Sequence, residues 1–258
     1  MFSEARLDDL LQAFTPDARG TLRAQIASYD ALLDQLPTVA DLDVRGAKRT
    51  MGILALNGAS GAGQSYVMAR VERFLREREI ELPRIYLLGT RDPRPGEGHK
   101  NPYIFVRETE DGYQDLYHPE RVYAPEDIYY AYESRPGARN AILLEDAKAA
   151  REQVMYLETV IPTLLHIKTT SIAGLPAWGD DLQIVYLAVP SGVEWVYRLV
   201  NREPERLQED VFRQKILGRT TSSLSDMEVA AEHEIPCVLN HYNRAEEAAQ
   251  EILTAWGL

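Results

Sequence analysis

Met51-Gly52-Ile53-Leu54-Ala55-Leu56-Asn57-Gly58-Ala59-Ser60-Gly61-Ala62-Gly63-Gln64-Ser65 is the stretch on which the reading of this chain turns. A short apolar run ends in a loop with three glycines, and an amphipathic segment from Tyr66 to Arg78 follows at once. That is the strand, phosphate loop, helix order of a mononucleotide-binding fold. The phosphate-loop pattern is glycine, four residues, glycine, lysine, then serine or threonine. Gly58, Gly63 and Ser65 sit where it requires them, and Gln64 stands at the lysine position. Glycines let the backbone approach a phosphate closely. Successive N–H groups then converge on the anion, helped by the positive end of the helix dipole. On this reading Ser60, Gly61, Ala62, Gly63, Gln64, Ser65 and Tyr66 line the phosphate site, and Ser65 offers its hydroxyl to the Mg²⁺ that accompanies ATP. Gln64 can donate hydrogen bonds but lacks the charge with which lysine bridges the outer phosphates. The plainer alternative is a Gly-rich turn before a helix.

The 258 residues suffice for one large domain or one domain with an appendage. Hydrophobic content of 45% and charged content of 26% are ordinary for a globular protein. A net charge of −12 without a basic run argues against a nucleic-acid-binding surface. One cysteine, Cys237, excludes an intrachain disulfide and a thiolate zinc cluster, and its apolar neighbours predict a buried, inert thiol. No apolar stretch is long enough to span a membrane and no signal-peptide pattern opens the chain, so the expected location is the cytoplasm and no membrane partner is expected.

Residues 1–48 read as a helical N-terminal extension. Ser3 is the expected cap of a first helix with Leu7, Leu10, Leu11 and Phe14 on one face. Thr15-Pro16-Asp17 reads as cap, proline at the first helical position and acidic first turn of a second helix, on which Leu22, Ile26, Leu33 and Leu36 follow at helical spacing. Asp41 to Thr50 is a charged linker. The hairpin either packs on the core or pairs with a second copy as a homodimer.

Downstream, Arg84-Ile85-Tyr86-Leu87-Leu88 is an expected strand leading into Gly89-Thr90-Arg91-Asp92-Pro93-Arg94-Pro95-Gly96-Glu97. Two arginines three apart, stiffened by prolines, present two guanidinium forks, and arginine takes phosphate oxygens in bidentate fashion. A solvated charged turn is the alternative. The segment Thr90 to Glu97, followed by Tyr103-Ile104-Phe105-Val106, resembles the GMP-binding loop of guanylate kinases, which reads Thr-Arg-x-Pro-Arg-x-Gly-Glu and then Tyr-x-Phe-Val at the same spacing. The resemblance implies that Arg91, Arg94, Glu97 and Tyr103 serve the phosphate of a nucleoside monophosphate.

It persists more thinly to the end of the chain. Leu182 to Val189 with Pro190-Ser191 looks like the family's strand ending in Pro-Pro-Ser, and Val193 to Asn201 like the arginine-bearing helix entering the lid. Arg198, Arg202 and Arg213 are thereby implied as catalytic lid arginines, alongside Gln64. Cys237-Val238-Leu239-Asn240 and Arg244 to Trp256 resemble the closing strand and last helix, with Asn240 near the adenine of ATP. The implied fold is a three-layer α/β phosphate-loop fold with a mostly parallel sheet over 49–258, a small antiparallel monophosphate-binding subdomain at about 90–135 and a lid at about 198–220.

The departures fall where chemistry is expected. Besides Gln64, Leu87 stands where the family has a phosphate-binding serine, and the base-closing Gly-Asn-Tyr-Tyr-Gly has no clean counterpart, Gly137-Ala138-Arg139-Asn140 lying nearest. The family's acidic strand matches Tyr156-Leu157-Glu158-Thr159 best, making Glu158 a partner for the base or the metal, ahead of Leu143-Leu144-Glu145-Asp146. Seven of the 14 tyrosines lie between Tyr103 and Tyr132, read either as pocket walls or as aromatic sheet faces. Ile161 to Asp181 reads as a surface loop and helix. The five histidines show no metal-ligand spacing.

Three functions follow. The first is a nucleoside-monophosphate kinase using ATP and Mg²⁺ on a GMP-like acceptor. The second is a catalytically inactive guanylate-kinase-like binding module. The third is a kinase of another small phosphorylated acceptor, such as a sugar phosphate. Gln64 and Leu87 favour the module, and the retained Gly58, Gly63 and Ser65 favour use of a triphosphate.

Overall fold

A computed structural model describes residues 4–39, 50–135 and 137–258. The expected Ser3 cap, the linker before Thr50 and the 48/49 boundary lie outside the described residues.

The first half of the chain forms α1 (Glu4–Leu11), α2 (Pro16–Leu33), β1 (Gly52–Gly58), α3 (Gln64–Glu77), β2 (Arg84–Ile85), β3 (Leu88–Gly89), β4 (Ile104–Thr109), β5 (Gly112–Asp115) and β6 (Val122–Tyr123). The second half forms β7 (Ile128–Arg135), β8 (Ala138–Leu143), α4 (Leu144–Ala149), β9 (Val154–Leu157), α5 (Ile161–Thr169), β10 (Leu182–Ala188), α6 (Gly192–Val200), α7 (Asp210–Glu232), β11 (Cys237–Leu239) and α8 (Ala245–Ala255). These elements fall into two compact units, and β1 runs through both.

The first unit gathers 4–39, Leu56–Ile80 and Ile184–Leu258. Its strands lie in the order β11-β10-β1, with β10 and β11 parallel. Residues Ile53 to Leu56 of β1 are all buried, the unbroken apolar run of a strand covered on both faces. α3 packs on α8, while α2 packs on α6 and α7 and α1 on α6. Thr15 caps α2 as its sequence predicts, its hydroxyl accepting the Ala18 N–H at 3.3 Å. Leu22 and Tyr29 on α2 are fully buried. Cys237 is buried as expected, and burial pushes its thiol up to about 12.

The second unit gathers 50–55 and Glu81–Gln183. Here Gly52–Ala55 of β1 pairs in parallel with Val154–Leu157 of β9, and β9 pairs in parallel with β2. A second sheet runs β6-β5-β4-β3-β8-β7, antiparallel except for the β3/β4 pair. The strand expected over Arg84–Leu88 is therefore two strands in different sheets. β2 follows β9 and β3 joins β4 and β8, so the chain changes sheets at Tyr86-Leu87. The helix expected within 161–181 forms as α5, but the expected surface placement is corrected. Ile161, Leu164 and Ile167 fall three apart on one face of α5, and they and Trp178 are buried. That apolar spacing gives the helix an inward face. Trp178 also donates its indole N–H to the Tyr129 hydroxyl at 3.1 Å under the guanidinium of Arg151.

Candidate functional site

The first unit carries the loop between β1 and α3. Gly58 ends β1 with its Cα against the next strand: a Cβ there would lie 2.3 Å from the Leu187 carbonyl oxygen. Gly63 stands at the N-cap of α3 with φ 89° and ψ 29°, left-handed backbone that favours glycine, and no side chain caps the helix. The first-turn N–H groups of Gln64, Ser65 and Tyr66 thus have the arrangement that binds anions at helix starts. Ser65 is exposed, Gln64 half-buried and Tyr66 exposed with Arg70 over its ring at 3.2 Å.

The rest of the loop is held from behind. The Ser60 N–H donates to Ser223 Oγ and the Ser60 carbonyl accepts the Trp195 indole N–H, both at 2.9 Å. The Ala62 N–H turns back to the Ala59 carbonyl at 2.9 Å, and the Ala62 carbonyl accepts Asn240 Nδ2 at 2.6 Å. Asn240, assigned to the adenine by resemblance, is buried and spends its amide on the loop itself. Arg198 binds Glu194 at 2.6 Å and donates to the Asn240 carbonyl at 2.8 Å. Arg213 is held by Asp210 and the Leu207 carbonyl. Arg202, just past α6, is exposed.

The second unit carries the arginine loop. Arg91 grips Glu97 in bidentate fashion, with its two terminal nitrogens 2.7 and 2.8 Å from the two carboxylate oxygens. The same carboxylate accepts the Arg94 backbone N–H at 2.8 Å, and the Arg94 carbonyl accepts the Glu97 N–H at 3.0 Å. The Arg91 guanidinium beside it holds the Glu97 carboxyl down at about 2, and Glu97 in return raises Arg91. Arg91 also lies over the rings of Tyr103 and Phe105, at 5.1 and 5.0 Å. The Arg94 side chain is exposed, with no hydrogen-bond partner for its guanidinium among the described residues.

Tyr103 joins this loop to a polar cluster. Burial raises its hydroxyl, Glu158 pushes it further in the same direction, and Arg91, Arg84 and Arg94 oppose. Glu158, just past β9, binds Arg84 at 2.9 Å. Beside them the Tyr132 hydroxyl makes a short hydrogen bond with Thr159 Oγ1 and accepts Asn140 Nδ2 at 3.3 Å. Leu87, in the place of the family's serine, is buried and offers no oxygen.

This chain is 27% identical over 207 residues to a curated guanylate kinase from Streptomyces coelicolor, a match covering 78% of this chain and 88% of that protein. The chain is similar in sequence to guanylate kinases. No protein-family model matches it. Among solved structures, a guanylate kinase from Anaplasma phagocytophilum aligns over 80% of this chain and 84% of its own, with 16% identity and a TM-score of 0.46. The cell division protein FtsY from Thermotoga maritima aligns over 98% and 87%, with 11% identity and a TM-score of 0.29. The sequence similarity supports a guanylate-kinase-like nucleotide-binding or kinase function.

Several residues of the two loops' surroundings escaped the sequence reading. Trp195 and Ser223 carry no motif, because a side chain that holds a loop from a distant helix leaves no local spacing. Tyr132 was visible only as part of a tyrosine-rich stretch, Asn140 and Thr159 only as the last residues of the segments set against the base-closing motif and the acidic strand, and Arg84 only as a strand residue. The described residues hold no cluster of metal-ligating side chains and no helix long and apolar enough to cross a membrane. Mg²⁺ fits the donor set that is present, since it binds through one or two protein oxygens plus phosphate oxygens and keeps its waters. The exposed Ser65 hydroxyl supplies such an oxygen.

Proposed function

We propose that this chain is a phosphotransferase of guanylate kinase type, moving a phosphoryl group from ATP·Mg²⁺ to a nucleoside monophosphate, with a weakened donor site. The observation that carries the reading is the arginine loop. Glu97 fixes the Arg91 fork and the Arg94 backbone together, so a phosphate meets two guanidinium groups on a preformed frame. Arg94 supplies the exposed contact, and the part-buried Arg91, gripped by Glu97, adds positive charge beside it.

Phosphoryl transfer asks a protein mainly for positioning and for positive charge around the moving group. The α3 first-turn N–H groups and Ser65, which would hold Mg²⁺, serve the triphosphate. When bound, Mg²⁺ neutralises charge on the phosphate oxygens. Gln64 donates a hydrogen bond where a cation would stabilise the transition state, and the loss of one such group in a water-excluded site is worth about 3 kcal/mol, or roughly a hundredfold in rate.

The binding-module reading has its own support. Arg198 and Arg213, two of the three arginines that could replace the missing charge, are engaged with carboxylates and backbone carbonyls, and Arg202 alone of the three is exposed. Titration calorimetry with ATP·Mg²⁺ and separately with GMP, followed by a coupled ADP-release assay, separates the two. The kinase reading expects micromolar binding of both ligands and slow turnover. Binding of GMP alone, with no ADP release, assigns the module instead.

A further inference from the structure

The phosphate loop hangs from two helices, and α2 grips both of them. Ser60 is held at each of its backbone groups, the N–H by Ser223 of α7 and the carbonyl by Trp195 of α6. Both side chains are buried. Tyr29 of α2 stacks on the Trp195 ring, with centroids 4.5 Å apart and planes 19° from parallel. Its hydroxyl donates to the Val189 carbonyl at 3.0 Å and accepts the Val189 N–H at 2.7 Å, where β10 runs out before α6. Asp30 Oδ1 accepts the Gly192 N–H, a first-turn donor of α6, at 2.6 Å. A Cβ on Gly192 would lie 2.4 Å from the Ile26 carbonyl oxygen, so α2 and α6 meet backbone to backbone. Towards α7, Gln25 donates to Thr221 at 3.0 Å and accepts from Thr220 at 2.7 Å, one turn before Ser223.

Apolar burial at Leu22 would suffice to dock a helical hairpin. The polar residues of α2 do something more specific: they fix the two helices whose side chains hold Ser60. A trans peptide is planar, so directing the Ser60 carbonyl at Trp195 turns the N–H of Gly61 the opposite way. Gly61 has φ 86° and no Cβ, so the residue itself does not lock that peptide. We propose that the N-terminal hairpin is a positioning element for the phosphate loop, acting through Trp195 and Ser223 to select the peptide orientation that presents the Gly61 N–H to an anion. This rests on the nucleotide reading of the loop.

The test uses the full chain and the variants Trp195→Phe, which keeps a ring against Tyr29 but loses the indole N–H, and Ser223→Ala. Ile167→Val in the second unit serves as a control for small losses of melting stability. Each is titrated with ATP·Mg²⁺ and with GMP, and amide hydrogen exchange is followed over residues 59–65. We expect the two loop variants to bind ATP·Mg²⁺ about tenfold more weakly, the loss of roughly one hydrogen bond. GMP binding should be unchanged, with faster exchange confined to the loop and absent from the control. Faster loop exchange in a chain whose wild type does not bind ATP·Mg²⁺ sinks the nucleotide reading and leaves the brace standing. Wild-type exchange and affinity in a folded Trp195→Phe overturn the brace. Should that variant fail to fold, Ser223→Ala decides by the same two readouts.

Discussion

A glutamine at the first position of α3 can donate a hydrogen bond but brings no charge, so its substitution asks a direct question of the donor site. Gln64→Lys is expected to raise ADP release by about a hundredfold. A rate that does not move, with ATP·Mg²⁺ still bound, would mean that the arginines limit transfer instead. Glu97 poses a different question. Its carboxyl is held at about 2 by Arg91 against an ordinary 4.5, so its contribution to stability is complete above the ordinary value. It is lost as pH falls through about 2. Urea denaturation should therefore show the wild type losing stability between about pH 4.5 and 2, beyond the loss in Glu97→Gln. Parallel curves for the two proteins would show that the ion pair adds nothing to folding.

Elements were legible in proportion to how local their causes are. The α2 start could be read because Thr15, Pro16 and Asp17 act within one turn, and Thr15→Ala should cost about 1 kcal/mol in chemical denaturation, a change of a few tenths meaning that the cap is unimportant. The loop after β1 could be read because glycine spacing is a backbone requirement. The sheet change at Tyr86-Leu87 could not, since neither Arg84-Ile85 nor Leu88-Gly89 carries a local signal and only distant partners decide which sheet each joins. The inward face of α5, by contrast, is written in the local spacing of Ile161, Leu164 and Ile167. Of the candidate site, the Arg91, Arg94 and Glu97 loop was legible as a motif, whereas Trp195 and Ser223 act across 135 and 163 residues. Buried charge is equally hidden from a local reading. Asp226 of α7 is raised to about 6 by burial alone, so the native state resists its ionisation. Its carboxyl costs stability increasingly as pH rises from about 3.8 to 6, and Asp226→Asn should be the more stable protein at pH 7 and equal to the wild type near pH 3. A thermal melt at both values checks it, and equal melting at pH 7 would remove the buried charge from the account.

At the scale of the whole molecule, the residues proposed for the triphosphate all belong to one compact unit and the arginine loop to the other. Each set is built from contacts inside its own unit: Asn240 and Ser223 on the loop after β1, Glu97 and Tyr103 around Arg91. Damage to one should therefore leave the other ligand's affinity intact. Arg91→Ala removes a positive charge beside Arg94 and the guanidinium that Glu97 holds in the loop, so GMP should bind roughly tenfold more weakly while ATP·Mg²⁺ binds as before. Gly63→Ala works the other way. It forces a Cβ onto left-handed backbone with φ 89° and brings it 2.8 Å from Asn240 Nδ2, so the α3 start must shift and ATP·Mg²⁺ should weaken with GMP unaffected. Calorimetry on both variants with both ligands gives four affinities. If each variant weakens its own ligand alone, donor and acceptor are recognised separately. If Arg91→Ala weakens both ligands, the units are coupled in binding, and the assignment of each ligand to one unit fails.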